Sequence, residues 1–194
     1  MNKTLLIILG IVLVIALWIT GSYNGFINKQ ESANEAFANV QATYQRRADL
    51  IPNLVEVVKG YAKHESQTLE NVIAARAKAT QVTINADNLT PEKLAEYQDA
   101  QNELSSALGK LLAVAEAYPD LKASKNFSDL QVQLEGTENR INEARQKFNM
   151  KVREYNSSIR KFPGAFIAST FGFEKMDMFE AEQTAQKAPE VSFD

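Results

Sequence analysis

The sequence predicts an all-α protein: an N-terminal transmembrane helix followed by an up-and-down, antiparallel four-helix bundle with long helices. Three observations carry that reading. Leu5 to Ile19 form an almost uninterrupted apolar run. Beyond it, apolar residues recur at steps of three, four or seven, the spacing of one helix face, and nowhere at the period of a strand. Cutting this pattern at its interruptions leaves segments of roughly 27, 34, 27 and 34 residues, each about 40 to 50 Å long as helix, which suits antiparallel neighbours.

The opening segment has only Lys3 and the α-amino group before it, Gly10 as a gap, and Trp18 and Tyr23 near its far end. Aromatic residues at the end of an apolar run fit a membrane interface. Thr20, Gly21, Ser22, Tyr23 and Asn24 contain no small-x-small cleavage site, so a retained anchor is expected rather than a removed signal peptide. A crossing takes about 20 helical residues, and Leu5 to Tyr23 suffices if Thr20 and Ser22 bond back to their own helix. Lys3 on one side, against Lys29 offset by Glu31 and Glu35 on the other, places the N-terminus in the cytoplasm and the bundle outside. Four regions are expected: a transmembrane signal-anchor at 1–23, the helical bundle at 24–162, a Phe-rich packing or docking segment at 163–179, and an acidic, disordered tail at 180–194.

The first bundle stripe runs through Phe26, Ala33, Phe37, Val40, Tyr44, Ala48, Ile51, Val55, Val58 and Ala62. Pro52 interrupts it chemically, because proline removes a backbone donor and crowds the preceding turn. Phase continuity argues for a kinked but continuous helix, and matched segment lengths argue for a break; the break is preferred. Asn85, Asp87 and Asn88 mark an interruption, after which Thr90, Pro91 and Glu92 read as N-cap, N1 proline and first-turn acid. The helix they open carries Leu94, Tyr97, Leu104, Leu108, Leu111, Leu112 and Ala115, and should stop at Tyr118 and Pro119.

After a loop of about ten residues, by the usual turn signals, Ser128 and Asp129 mark the expected start of the last helix. Phe127, Leu134, Ile141, Phe148, Tyr155 and Phe162 fall at successive heptad steps, while the companion row through Leu130, Ala144, Val152 and Ile159 slips. That slip favours nearly straight helices over a long supercoil. Gly136 marks either a close helix contact or a tolerated surface position. Residues 162–179 hold Phe162, Phe166, Phe171, Phe173 and Phe179 with Ile167, Met176 and Met178, broken by Gly164 and Gly172. They either fold back to cap the bundle or form a surface for self-association, a partner or lipid headgroups.

Composition narrows the chemistry. The tail from residue 174 holds two basic and six acidic side chains, and the body before it is balanced. With a pI near 5.4 there is no basic footprint for nucleic acid. No cysteine excludes disulfides, thiolate metal sites and a catalytic thiol. One histidine, His64, excludes HExxH zinc chemistry and the paired Glu-x-x-His of di-iron bundles. As neighbours on a helix, His64 and Glu65 would diverge by about 100° and could not form a close dyad. No catalytic residue, metal ligand, cofactor or small-molecule substrate is expected.

The stretch Arg46-Arg47-Ala48-Asp49-Leu50-Ile51-Pro52-Asn53-Leu54-Val55 continues through Lys59-Gly60-Tyr61-Ala62, His64-Glu65 and Ala75-Arg76. Further on come Glu116-Ala117-Tyr118-Pro119-Asp120-Leu121-Lys122-Ala123, Leu134-Glu135-Gly136-Thr137-Glu138-Asn139-Arg140-Ile141, Tyr155-Asn156 and Phe162-Pro163. Taken in order over residues 5 to 175, these resemble the LemA family. The resemblance implies a bacterial single-pass inner-membrane protein with an up-and-down four-helix bundle, in a family whose biochemical role is not established.

From the residues themselves, Arg47, Asp49 and Asn53 flank the proline and are expected to satisfy freed backbone groups there. Glu116, Glu135, Glu138, Asn139 and Arg140 are expected to form a second polar layer. Such residues fix helix register, or else present a recognition surface. Arg145, Lys147, Lys151 and Arg153 read as a solvated face. The expected function is a non-enzymatic scaffold or interaction module, bound to the bilayer through residues 5–23 and to copies of itself or another membrane protein. A lipid-binding or membrane-remodelling protein is the alternative, and an enzyme the weakest reading.

Overall fold

A computed structural model of the chain describes residues 3–82, 84 and 89–180. The described residues form six helices and no strand: α1 (Lys3–Tyr61), α2 (Ser66–Gln81), α3 (Pro91–Ala115), α4 (Pro119–Lys122), α5 (Lys125–Arg160) and α6 (Gly164–Phe171). The interruption expected at Asn85, Asp87 and Asn88 and the tail beyond Glu180 lie outside the described residues.

α1 is 59 residues long with Pro52 inside it, so the break preferred from segment lengths does not occur. At 1.5 Å per residue it measures about 88 Å. Its first part is long and apolar enough to cross a membrane, and Leu5, Ile7, Leu9, Leu13 and Leu17 all project outward, more than half exposed. Thr20 Oγ1 donates to Ala16 O at 2.9 Å, satisfying the hydroxyl within its own helix. From Phe26 onward the apolar stripe turns inward: every member from Phe26 to Ala62 is buried.

The chain reverses at Ala62, Lys63, His64 and Glu65, a decade after the proline, and α2 returns for only 16 residues. α3 starts as its sequence dictates: Pro91 occupies the first turn and the Lys93 N–H donates to Thr90 Oγ1. It ends at Ala115, and the short α4 makes the far turn. α5 begins at Lys125, earlier than Ser128 and Asp129 suggested, because Ser124 and not Ser128 stands at its N-cap.

α1 packs mainly on α5 and α2 mainly on α3. Each pair is antiparallel: Phe37 meets Phe148 while Arg47 meets Glu138, and Lys78 pairs with Glu103 while Tyr118 meets Glu65. With α2 antiparallel to α1, this is the up-and-down four-helix bundle the periodicity predicts.

The core forms three clusters stacked along the axis. At the far end, Ile51, Leu54, Val58, Leu69, Leu104, Leu111, Phe127 and Leu134 gather from α1, α2, α3 and α5. In the middle, Phe37, Val40, Tyr44, Leu94, Tyr97, Ile141 and Phe148 gather around Phe179. Next to the apolar segment, Phe26, Tyr155 and Ile159 pack on Ile167 and Ala168 of α6. α2 is too short to cover the middle of α1, and the chain after α6 fills that gap.

Gly172, in the left-handed conformation at φ 76°, ends α6 as glycine commonly does. Residues 173–180 then run along α5 as an extended strap. Gly164 is needed for a different reason: a Cβ there would lie 2.6 Å from Ser158 O and 3.0 Å from the Phe26 ring. Gly136 meets neither need; a Cβ there would touch nothing within 4 Å, so it is a surface position.

Candidate functional site

Pro52 determines the first piece of the site. Without an N–H it cannot bond the carbonyl four residues back, that of Ala48. Arg76 supplies the missing donor from α2: its Nε donates to Ala48 O at 2.8 Å. A carbonyl so satisfied by a neighbouring helix need not break α1. The arginine that the sequence placed at this task, Arg47, does something else.

Arg47 lies inside the bundle with 1% of its surface exposed. Its Nη1 donates to Ser105 Oγ and to Glu138 Oε1, both at 2.7 Å. Nη2 donates to Gln101 Oε1 at 2.7 Å and to Gln101 O at 3.2 Å, and the guanidinium stands 5.1 Å from the Tyr44 ring centre. Gln101 in turn donates to Ala79 O of α2 at 3.2 Å. One polar layer therefore ties α1, α2, α3 and α5 together at a single height. The buried charge is balanced by Glu138, whose side chain is 42% exposed, so the pair reaches from the core to the surface.

Above this layer α3 and α5 leave a groove of about 300 Å³. Arg47, Gln101 and Ser105 lie at its floor, Leu108 and Leu112 line one wall, and Glu138 lines the other. Gly109, with open space where a Cβ would be, keeps the α3 rim low. Beside Arg47, burial pushes the Tyr97 hydroxyl well above the ordinary tyrosine range; Tyr44 adds to this and the Arg47 charge opposes it.

The remaining motif residues separate into two groups and a surface. At the far turn, Tyr118 donates to Glu65 Oε1 at 3.0 Å, and the carboxylate beside it raises the phenol above its usual value. Glu116 pairs with Lys122, Pro119 opens α4, and His64 and Tyr61 face solvent. His64 and Glu65 stand in a turn rather than on a helix, so the helical geometry used against a dyad does not apply; Glu65 is engaged by Tyr118.

At the other end, Tyr155 Oη donates to Glu174 O at 2.9 Å. Asn156 clamps Met176 by two bonds, Nδ2 to the carbonyl at 2.8 Å and the amide to Oδ1 at 3.0 Å. Asn149, one heptad earlier, holds Phe179 the same way at 2.9 Å in both directions. Phe162 is 92% exposed, and Pro163 precedes α6.

Asp49, Pro52 and Asn53 are exposed on α1, with Asp49 accepting from Gln45 at 2.7 Å. Glu135, Asn139 and Arg140 are exposed on α5. Of the second polar layer expected from Glu116, Glu135, Glu138, Asn139 and Arg140, only Glu138 reaches between helices. Arg145 also departs from a solvated face: it covers the Phe179 ring at 5.1 Å and donates to Glu180 O. Gln101, Ser105 and Asn149 escaped the sequence reading because single polar residues on an apolar stripe resemble ordinary surface.

Among the described residues no group of three or more His, Asp or Glu side chains is placed to hold a metal. The model of the LemA family matches residues 36–193. The chain is 25% identical to the magnetosome protein MamQ of Magnetospirillum gryphiswaldense, covering 88% of this chain and 68% of that one. It is 26% identical to Protein LemA of Metamycoplasma hominis, covering 84% and 71%. Magnetosome protein MamQ 2 of Paramagnetospirillum magneticum is 24% identical, covering 88% and 68%.

Proposed function

The chain belongs to the LemA family, and from that premise we propose that it is a non-enzymatic, membrane-anchored scaffold that holds a protein-docking bundle at a fixed height above a bacterial inner membrane. The observation that carries this reading is the continuity of α1. One helix without a linker includes both the apolar segment and the first bundle helix. From Tyr23 to Tyr61 it rises about 57 Å, so a body built on it is held at a set distance along the helix axis from the apolar segment. The polar interior supports the same role, since Arg47, Arg76 and Gln101 are engaged in joining helices. The α3/α5 groove is the docking face in this proposal, with another polypeptide as its occupant.

The test is crosslinking in intact membranes. A photoreactive residue at Asn142, on the groove rim, should trap a distinct partner or a second copy, and Gly109→Phe, which fills the rim, should abolish that product. Recovery of monomer alone at native abundance would end the scaffold reading. A second reading, a lipid-binding or membrane-remodelling protein, is favoured by the outward rings of Phe162, Phe166 and Phe171. Liposome binding by the intact chain that reshapes the vesicles would favour it.

A further inference from the structure

α6 is a short helix with two dissimilar faces. Ile167 and Ala168 are buried against Phe26, Tyr155 and Ile159. Outward, Phe166 is 72% exposed and Phe162, just before the helix, almost wholly so; Phe171, about 140° round the helix from Phe166, lies on the α1 side and is still 52% exposed at the helix end. From Phe162 to Phe173 there is no charged residue; Lys161 stands before the run, and Glu174 and Lys175 after it. The polar atoms on that face are self-satisfied: Ser169 Oγ and Thr170 Oγ1 both donate to Phe166 O, at 2.9 and 2.8 Å. Hydroxyls turned back on their own helix do not need water as an acceptor.

The placement of α6 sets this face beside the end of the apolar segment. Gly164 abuts Phe26, Phe171 and Phe173 meet Tyr23 edge-on at 5.2 and 5.3 Å, and Ile19 packs on the same cluster. The helix therefore lies beside the stretch of α1 from Ile19 to Phe26, about 10 Å of rise at the end of the apolar segment. Helices that lie in the headgroup region bury an apolar face about 5 to 10 Å deep.

We propose that residues 162–171 form a second, non-spanning membrane contact, with Phe162, Phe166 and Phe171 inserted at the headgroup and acyl boundary of the same bilayer that α1 crosses. This rests on the reading of α1 as a span. One helix in a bilayer leaves tilt and rotation free, whereas a lateral foot fixes both, and the strap that follows joins that foot to the middle of the core.

Trp18 is the only tryptophan, so the full chain in nanodiscs already carries a reporter of the span. Bromine-labelled lipids should quench it. In a Trp18→Phe background, Phe166→Trp should give blue-shifted emission and a loss of intensity comparable to that of Trp18, while Val132→Trp, at an exposed position on α5 away from α6, should stay unquenched.

Quenched Trp18 with an unquenched indole at position 166 overturns the inference and leaves the span standing, whether that indole is in water or covered by protein. Equal quenching at position 132 means that the bundle lies on the bilayer indiscriminately, and also overturns it. Unquenched Trp18 removes the span itself, and the inference with it.

Discussion

A proline inside a buried helix ordinarily leaves a carbonyl without a donor, and here the repair comes from another helix. Arg76→Ala should strand Ala48 O and cost about 1 to 3 kcal/mol, read from urea unfolding of the full chain in detergent. Pro52→Ala returns an N–H to that carbonyl, so in its background the Arg76→Ala penalty should shrink clearly. Equal penalties in the two backgrounds would break the link between these residues, since coupling in such a cycle is what a shared partner produces. Tyr97 gives a second, pH-dependent signature. Its folded-state value is raised above the ordinary 10.0, with burial as the main cause. The stabilisation from keeping its proton is complete below pH 10 and is lost as the pH rises beyond that. Tyr97→Phe should therefore flatten the fall of melting temperature above pH 10. Tyr155, raised by burial and by Glu174, would leave a residual slope. An unchanged alkaline slope would place the sensitivity elsewhere.

The strap shows how an extended segment can be matched to a helix. Asn149 and Asn156 are seven residues apart on α5, about 10.5 Å of rise, and the residues they clamp, Phe179 and Met176, are three apart in extended chain, about 10 Å. Equal spans let both amides make two bonds with the strap backbone. Asn149→Ala should speed hydrogen exchange at the Phe179 amide roughly tenfold, in keeping with the loss of about 1 to 2 kcal/mol from two neutral bonds, and affect the Met176 amide less. Equal acceleration at both would mean that the strap releases as one unit. The sequence offered a fold-back of residues 162–179 as one alternative and singled out Asn156, but Asn149 and the clamps themselves were not legible, because hydrogen bonds to a backbone leave no periodic trace in sequence. What periodicity could reveal, it did: Phe127, Leu134, Ile141, Phe148 and Tyr155 are all buried, while Phe162, one step further, lies past the end of α5 and faces outward. The turn at 62–65 stayed hidden behind Pro52, the louder signal, because the donor that keeps α1 continuous is 28 residues away. Likewise, Arg47 could be singled out but not assigned, since Gln101, Ser105 and Glu138 meet it only once four helices are assembled.

Helix α1 gives the molecule its mechanical character. The segment leaving the proposed span is the same helix that α5, α2 and α6 pack upon, so force or orientation at the bilayer reaches the far turn without passing a loop. The Arg47 layer reinforces this midway by preventing the four helices from sliding, and replacing one member of such a buried set costs several kcal/mol because its partners are left unpaired. A bundle that merely hung from its anchor would need neither feature. The distinction is measurable because the chain has no cysteine, so Ser22→Cys and Lys59→Cys can carry the only two spin labels. The separation of 37 residue steps in an unbroken helix corresponds to about 55 Å, and the full chain in nanodiscs should give a narrow distance distribution near that value. A broad or much shorter distribution would mean that α1 yields near its base or at Pro52, and the fixed-height reading would fall. An impermeant thiol reagent applied to intact cells should label Lys59→Cys from outside, as expected from Lys3 and the N-terminus staying in the cytoplasm. Labelling only after the cytoplasm is opened would reverse that placement and turn the groove, with whatever it grips, to the inner side of the membrane.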